Sequence, residues 1–315
     1  MIGKDELEKR YPLPRGIISV LQTPFDDNRD VDTKSLERLV EHAIGAGVNG
    51  FLVPAVASEV DTLSAKEREH VVEVVLKASG RRVPVIVGAS APSEEDCAAF
   101  ARYAERVHAD AYLAAVPSLL YAHQEKVQPF FAHVAASTSL PLVIQDLQFG
   151  GYGLRIEEIE RLWETIPRLA GFKVETVPAG PKYTAIREKL GASVFVAGGW
   201  AIPQMIEALD RGVDALVPES SMVPVYRRVY ELYESGRRSE AVTLFRRILP
   251  VLSYTNQELL TSIAFFKRLL CRKGIFAREH MRLPGFQWDR FSERIAEELI
   301  VLVLEVEATV SVRTG

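Results

Sequence analysis

The chain has 315 residues, of which 48% are hydrophobic and 25% are charged, and its formal net charge is −4. This length suits one large domain or two ordinary ones, with a substantial buried core. The slightly acidic balance excludes a generally basic nucleic-acid-binding protein. No apolar run approaches the ~18–20 residues that are needed to cross a membrane.

The beginning of the chain and the cysteines bear on the cellular compartment. Residues 1–14 are rich in charge and lack the apolar core of a secretory signal. The two cysteines, Cys97 and Cys271, have the spacing of neither a disulfide scaffold nor a zinc motif. A reducing cytoplasm is therefore the expected location.

Short apolar runs alternate with longer amphipathic segments along the first 236 residues. Eight strands are predicted, at residues 16–22, 48–53, 83–88, 111–116, 141–146, 169–174, 193–197 and 214–217. A helix is predicted after each strand, at residues 33–46, 64–78, from 93 onward, 124–136, 156–165, 181–189, 203–211 and 222–235. The second helix opens with a capping box, because Ser64 precedes Glu67 by three residues.

The strands are continuous apolar runs, which is typical of parallel strands that are buried on both faces. Eight strand-helix units of about 25–30 residues fill the length of a (β/α)₈ TIM barrel of the α/β class. A doubly wound open sheet is the alternative, and the barrel is favoured. After Gly236 the pattern is helical, at residues 239–252, 257–272 and 289–309. We therefore predict a barrel over residues 1–236 and a C-terminal helical extension, packed on the barrel, over residues 237–315.

Catalytic residues of such barrels lie at the carboxyl ends of the strands. The polar or small residues predicted there are Gln22, Thr23, Ser58, Glu59, Ser90, Ser118, Gln145, Asp146, Lys173, Glu175, Gly198, Gly199, Glu219, Ser220 and Ser221. Lys173 is the most informative, because it lies inside an apolar strand where an ammonium ion is costly. A lysine with a lowered pKa is a neutral amine that can attack a carbonyl to form a Schiff base. The alternatives are an ion pair with Asp146 or Glu175, or a strand-end lysine that reaches solvent.

A Schiff-base mechanism also needs groups that move protons. Gln145 cannot take a proton, whereas Asp146 and Glu175 can. Because side chains alternate along a strand, Gln145 and Asp146 should point to opposite faces. The sequence leaves open which of the two carboxylates faces the interior.

Two short segments could bind substrate. The backbone near Ala57 and the hydroxyl of Ser58 could hold a carboxylate, although an ordinary turn explains the segment equally well. Gly198 and Gly199 could bring backbone amides close to a phosphate or hydroxyl group, although turn chemistry again explains them.

Nothing in the sequence indicates a metal or an organic cofactor. The six histidines show no metal-ligand spacing with each other, with cysteines or with carboxylates. There is no Walker loop and no G-x-G-x-x-G motif, so a tightly bound nucleotide is not indicated.

Several separated motifs carry a family resemblance. They are Thr23-Pro24-Phe25, Leu63-Ser64-Ala65-Lys66-Glu67-Arg68, Ala170-Gly171-Phe172-Lys173, Lys267 and Arg282-Leu283-Pro284. Over about residues 15–284 the chain resembles the dihydrodipicolinate synthase/N-acetylneuraminate lyase family, whose barrels form Schiff bases with 2-keto acids. The resemblance implies that Lys173 is the Schiff-base lysine and that no cofactor is needed. It also implies assembly as a homotetramer or a dimer.

The chain departs from the usual family pattern in three places. The family's G-T-T-G-E motif is replaced by Ala55-Val56-Ala57-Ser58-Glu59, and the tyrosine that ends strand five is replaced by Gln145. The tyrosine pair after strand four is missing, although Tyr121 could substitute from a shifted position.

The same departures resemble a subgroup of 2-keto-3-deoxy-sugar-acid dehydratases, such as L-2-keto-3-deoxyarabonate dehydratase. That subgroup has a Ser-Glu pair after strand two, a Gln-Asp pair at strand five and Phe-Lys-x-Glu at strand six. These pairs correspond here to Ser58-Glu59, Gln145-Asp146 and Phe172-Lys173-Val174-Glu175.

The expected function is a Schiff-base lyase that dehydrates a 2-keto-3-deoxy sugar acid. Without the tyrosine relay, dehydration is easier to support than aldol chemistry. The expected catalytic residues are Lys173, Gln145 and Glu175, with Asp146 as a second candidate acid or base. The expected substrate-binding residues are Ala57, Ser58, Glu59, Gly198 and Gly199.

Two alternatives to dehydration remain open, and the expected partner is the same for both. One is a pyruvate-releasing aldolase of the same family, and the other is a catalytically silent barrel that binds a keto acid. The expected partner is a small 2-keto acid, with neither nucleic acid nor membrane involved.

Overall fold

The computed structural model describes residues 11–199 and 203–311, with the backbone alone at Ser311. Most of the charged N-terminal stretch and the last residues of the predicted extension lie outside these ranges. Among the described residues, no helix is both long and apolar enough to cross a membrane.

Eight short strands form a single parallel sheet. They are β1 (Gly16–Val20), β2 (Gly50–Val53), β3 (Val85–Gly88), β4 (Ala111–Ala115), β5 (Leu142–Leu147), β6 (Leu169–Glu175), β7 (Phe195–Gly198) and β8 (Ala215–Leu216). The strands neighbour each other in chain order and the sheet closes into a barrel. The predicted (β/α)₈ barrel is therefore confirmed, and the open-sheet alternative is excluded.

Helices follow the strands as predicted. They are α1 (Thr33–Gly45), α2 (Ala65–Ser79), α3 (Glu94–Arg106), α4 (Val127–Ala136), α5 (Ile156–Thr165), α6 (Ala179–Leu190), α7 (Met205–Asp210), α8 (Val223–Glu234), α9 (Arg238–Thr255), α10 (Leu259–Arg272) and α11 (Arg290–Ser311). The capping box that opens α2 is present: the Ser64 hydroxyl accepts from the Glu67 amide, and the Glu67 carboxylate accepts from the Ser64 amide. The helix predicted from residue 124 begins at Val127, because Gln124–Lys126 form a 3₁₀ turn.

Contacts group the chain into two compact units. The first consists of the described residues before Gly16 together with Pro84–Gly199 and Glu207–Leu216, and so holds β3 to β8 and helices α3 to α6. The second consists of Gly16–Val83, residues 203–206 and the described chain from Val217 onward, and holds β1, β2 and helices α1, α2 and α8 to α11. Within the second unit, α9 packs against α8, α10 and α11. The proposed boundary at residue 236 remains a prediction.

Gly171 shows how closely the strands of the first unit approach each other. It lies in β6 and pairs in register with Phe195 of β7. A Cβ atom at Gly171 would lie 2.6 Å from the carbonyl carbon of Phe195 and closer still to its oxygen. Since that neighbour is backbone and not a flexible side chain, a side chain at this position requires the two strands to shift.

We predict that Gly171→Ala lowers the free energy of unfolding by about 3 kcal/mol, the upper part of the usual range for overpacking. The control is Gly45→Ala at the end of α1, where an added Cβ meets no atom within 4 Å. That change should stabilise the protein by about 0.5 kcal/mol, since alanine restricts the unfolded chain more than glycine does. Urea unfolding measures both, and equal stability of the Gly171→Ala variant and the parent would contradict the prediction.

Candidate active site

The register of β5, β6 and β7 brings three residues of the first unit side by side. Gln145 of β5 pairs with Lys173 of β6, and Lys173 pairs with Ala197 of β7. Residues in register on parallel strands point to the same face of the sheet, so Gln145 and Lys173 project together. Lys173 is 4% exposed and Gln145 is 2% exposed. A lysine and an amide are thus held next to each other, out of bulk water.

Glu175 completes this group. It lies two residues after Lys173, so alternation along β6 returns its side chain to the same face. The Lys173 ammonium donates a hydrogen bond to Oε2 of Glu175 at 2.9 Å, and the Gln145 amide donates to the same oxygen. Both charged side chains are 5% exposed. Of the sequence alternatives for Lys173, the ion pair with Glu175 is therefore present, and the lysine does not reach solvent.

This arrangement suits proton transfer between a lysine and a carboxylate. The Glu175 oxygen is within hydrogen-bond reach of the ammonium, so it can take a proton and leave a neutral amine. The Gln145 amide is a fixed donor that orients the carboxylate. An adjacent base that can accept the proton is one of the ways in which a nucleophile is activated, and burial of a lysine is another.

Gly199 lies against this group because it lacks a side chain. A Cβ atom at Gly199 would lie 2.7 Å from the Glu175 carboxyl carbon and 2.8 Å from Cε of Lys173. A Cβ atom at Gly198 would lie 2.6 Å from the Tyr183 hydroxyl oxygen. Gly199 thus provides clearance around the lysine and the carboxylate, whereas Gly198, which pairs with Val174, is on the other face of the sheet.

Asp146 points to the opposite face of β5 from Gln145, as alternation predicts. Its carboxylate accepts hydrogen bonds from the Leu154 amide at 3.1 Å and from the Tyr121 hydroxyl at 3.0 Å. It also forms an ion pair with Lys182 of α6, and both of these side chains are fully buried. Burial raises the pKa of Asp146 and lowers the pKa of Lys182. The carboxylate beside Lys173 is therefore Glu175 and not Asp146.

Tyr121 is held as a donor to Asp146. Burial and the nearby charge of Asp146 raise the pKa of its phenol well above the ordinary value. This phenol keeps its proton and donates a hydrogen bond to a carboxylate on the far face of β5. It is therefore a poor substitute for a tyrosine that relays protons at the position of Gln145. The suggestion that Tyr121 replaces the family tyrosines is therefore not supported by its contacts.

Lys182 is a buried charge that was not predicted from the sequence. Its ammonium also donates to the Tyr152 carbonyl at 2.6 Å and lies 4.6 Å from the centre of the Tyr152 ring. The buried residues of α6 include Ala179, Lys182 and Ile186. These positions are three and four residues apart and so share one helix face, which is the signal that could have marked Lys182 as buried.

The segment Ala57-Ser58-Glu59 belongs to the second unit and follows β2. Val56–Ser58 and Val60–Thr62 are two 3₁₀ turns, joined at Glu59 in a left-handed conformation with φ of 56°. The buried Ser58 hydroxyl donates to the Leu21 carbonyl at 2.5 Å and accepts from the Ala55 amide at 3.0 Å. The two hydrogen bonds of the Ser58 hydroxyl thus stabilise the turn.

The Glu59 carboxylate is buried and fully engaged with protein groups. One oxygen pairs with the Lys267 ammonium of α10, and the other accepts from the amides of Arg282 and Leu283, each at 2.7 Å. Burial lowers the pKa of Lys267 to about 8. Lys267 and the Arg282 guanidinium both lie over the Phe25 ring, at 4.3 and 4.4 Å. The motif residues Phe25, Glu59, Lys267 and Arg282 therefore meet in one cluster, in which Glu59 shapes the turn after Ser58.

Across residues 11–199 and 203–311, histidine, cysteine, aspartate and glutamate side chains form no group of three or more that could hold a metal ion.

Comparisons with known proteins identify the family of the chain. Residues 13–299 match the model of the dihydrodipicolinate synthetase family. The chain is 28% identical to L-2-keto-3-deoxyarabonate dehydratase of Azospirillum brasilense, over 87% of this chain and 89% of that one. It is 26% identical to 4-hydroxy-tetrahydrodipicolinate synthase of Bartonella bacilliformis, over 86% and 91%.

A solved structure has the same fold. It is the 4-hydroxy-tetrahydrodipicolinate synthase of Methylacidiphilum fumariolicum SolV, with a TM-score of 0.86 and 23% identity over 94% of this chain and 98% of that one. The family model covers most of the sequence, and the relatives named above match along nearly their whole length. The chain therefore belongs to the dihydrodipicolinate synthetase family and is a lyase.

Proposed function

We propose that this lyase dehydrates a 2-keto-3-deoxy sugar acid through a Schiff base on Lys173. The observation that carries the proposal is the single Glu175 oxygen that receives both the Lys173 ammonium and the Gln145 amide. The identity shared with a keto-deoxy-arabonate dehydratase over most of both chains supports the substrate class. The same motifs, Ser58-Glu59, Gln145-Asp146 and Lys173-x-Glu175, support it from the sequence.

The first stage is formation of the imine. Glu175 takes a proton from the Lys173 ammonium, and the free amine attacks the C2 carbonyl carbon of the keto acid. The C2–N bond forms, the C2 oxygen leaves as water, and a protonated imine remains. The departing water carries two protons from the lysine nitrogen. One passes through Glu175, which lies 2.9 Å from that nitrogen, and the other leaves the nitrogen after the C2–N bond has formed.

The second stage is elimination. The imine acidifies the C3 protons, and Glu175 removes one to give an enamine. In a 3-deoxy sugar acid the first hydroxyl is on C4, so the enamine electrons expel it as the C4–O bond breaks. Glu175 supplies the proton that turns the departing hydroxide into water. Hydrolysis of the imine then consumes one water and frees Lys173, so the net change is the loss of one water molecule.

The remaining site residues have proposed binding roles. Gln145 orients Glu175 and hydrogen-bonds substrate, while Gly199, directly after Gly198, lines the space beside the lysine. Ala57, Ser58 and Glu59 form the proposed segment for the substrate carboxylate, with Glu59 acting by holding the turn. A homotetramer or dimer is the proposed assembly.

Aldol cleavage is the second candidate, and other relatives of the chain are 4-hydroxy-tetrahydrodipicolinate synthases. That chemistry requires a group to move the proton of a substrate hydroxyl during carbon-carbon bond cleavage. Gln145 cannot do so, and Tyr121 donates to Asp146 on the other face of β5. Glu175 is then the group that remains to move protons, and we favour dehydration because one carboxylate is sufficient for it in the scheme above, without the family's tyrosine relay. Membership of a family of lyases leaves the silent keto-acid binder without support.

We predict that borohydride treatment with pyruvate or a 2-keto-3-deoxy sugar acid adds one reduced ligand to Lys173. Intact mass and peptide mapping locate the adduct. Lys173→Arg should abolish it, whereas Lys189→Met, at an exposed lysine of α6, should not. Absence of an adduct from folded protein with every keto acid tested would overturn the covalent mechanism.

We predict that Glu175→Gln lowers kcat for dehydration by at least ~100-fold, the lower end of the usual contribution of general acid-base catalysis. The amide cannot shuttle protons, although it retains nearly the same shape. The matched control is Glu160→Gln on α5, whose carboxylate pairs with Lys189 near the surface. Steady-state rates measure both variants, and an unchanged kcat for Glu175→Gln would move the acid-base role to another group.

We predict that Gly199→Ala lowers kcat/KM by about 10-fold to 100-fold, because the new methyl group would displace the Glu175 carboxylate and Cε of Lys173. Steady-state kinetics on the folded variant measures the effect. Ala197→Gly, at the neighbouring strand position, should be far milder. A Gly199→Ala enzyme with parental kinetics would show that the clearance is not needed.

A further inference from the structure

Three segments of the first unit meet at one buried carboxylate. Tyr121 comes from the turn after β4, Leu154 from the loop after β5 and Lys182 from α6, and each donates a hydrogen bond to Asp146. Lys182 adds a second hydrogen bond, to the Tyr152 carbonyl of the loop after β5. Asp146 and Lys182 therefore hold the loop at residues 148–155 by hydrogen bonds to its backbone, at the Leu154 amide and the Tyr152 carbonyl.

The same loop lies against the backbone that follows Glu175. The Val177 amide donates to the Gly151 carbonyl at 3.0 Å. A Cβ atom at Gly153 would lie 2.5 Å from a methyl carbon of Thr176, the residue directly after Glu175. The position of loop 148–155 is thus coupled to the end of β6, where Glu175 is held.

The ion pair between Asp146 and Lys182 is not required simply to fill the buried volume that it occupies. A fully buried ion pair is costly to desolvate, and apolar residues of similar volume are often as stable or more so. What the pair provides, and an apolar pair would not, is directed hydrogen bonding to the Tyr152 carbonyl and the Leu154 amide.

We propose that Lys182 is a positioning residue for catalysis. Through Asp146 and the Tyr152 carbonyl it holds loop 148–155 against Thr176 and Val177, and so keeps Glu175 aligned with Lys173 for proton transfer. This inference rests on the proposed function of Lys173 and Glu175. It assigns Lys182 no contact with the substrate.

The proposal separates two steps of the reaction. Attachment of a keto acid to Lys173 can be driven to completion, so its final extent depends little on fine alignment. Removal of a C3 proton by Glu175 is sensitive to displacements of about 1 Å, which cost on the order of 100-fold in rate. A purely structural role would instead change the amount of folded protein and leave the ratio of the two steps unchanged.

The test compares two charge-neutral double variants, Asp146→Asn with Lys182→Met and Asp146→Asn with Lys182→Gln. Neither leaves a lone buried charge, and the glutamine retains a donor for the Tyr152 carbonyl whereas methionine does not. Tyr121→Phe removes one hydrogen bond of the same group without any change of charge. Lys189→Met is the control from the same helix.

Two readouts use pyruvate as the probe on enzyme shown by thermal unfolding to be folded. The first is the final extent of the borohydride adduct on Lys173, by mass spectrometry. The second is the rate at which the methyl protons of pyruvate exchange in deuterated water, by proton NMR. We expect the methionine variant to retain the adduct but to exchange at least ~10-fold more slowly, with partial recovery in the glutamine variant. Tyr121→Phe should slow exchange by a few fold. If the methionine variant does not fold, the exchange rate of Tyr121→Phe is measured in its place.

The outcomes distinguish this inference from the proposed function. No adduct, or an adduct without exchange, in the unaltered enzyme would overturn the proposed function and this inference with it. A normal exchange rate in the folded methionine variant would overturn the positioning role alone. If the methionine variant does not fold, a normal exchange rate in Tyr121→Phe would do the same. Equal losses of adduct and exchange would overturn it as well, because they indicate general damage.

Discussion

One carboxylate oxygen of Glu175 governs the arrangement of the candidate site. Both Lys173 and Gln145 donate to it, and all three groups are removed from bulk water. A buried carboxylate beside a buried ammonium is tolerated because each compensates the other's charge and the amide completes the hydrogen bonding. The register of β5 and β6 and the bare backbone at Gly199 both serve this contact.

The second unit also contains a buried carboxylate whose charge is compensated by a buried lysine, but the consequence is different. There Glu59 is compensated by Lys267 and by two backbone amides, and the result is a turn of defined shape and not a reactive amine. The left-handed backbone at Glu59 shows that local preference did not decide this conformation, because non-glycine residues adopt it infrequently. Long-range pairing of a buried charge held the turn in place.

Periodicity was sufficient to predict most of the fold. Continuous apolar strands predicted the parallel sheet, and the number of strand-helix units favoured the closed barrel over an open sheet. The Ser64 capping box was also readable, because it is a contact between residues three apart. Alternation predicted that Gln145 and Asp146 would point to opposite faces of β5.

The partners of the buried charges could not be predicted in the same way. Alternation along β6 already places Glu175 on the same face as Lys173, whereas the position of Asp146 relative to Lys173 depends on the register of β5 against β6. The contacts of Asp146 join Tyr121, Leu154 and Lys182, which are distant in sequence. The spacing of Lys182 within α6 indicated burial but not the carboxylate that it meets.

The pairing of Glu59 with Lys267 has a consequence for synthesis of the chain. The two residues are separated by 208 positions, so the turn after β2 has no ammonium partner until α10 has left the ribosome. The amides of Arg282 and Leu283 follow later still. Because contacts of long sequence separation form late, this turn cannot acquire its final shape during synthesis of the first half of the protein. A nascent chain therefore reaches its complete form only when the C-terminal helices are added.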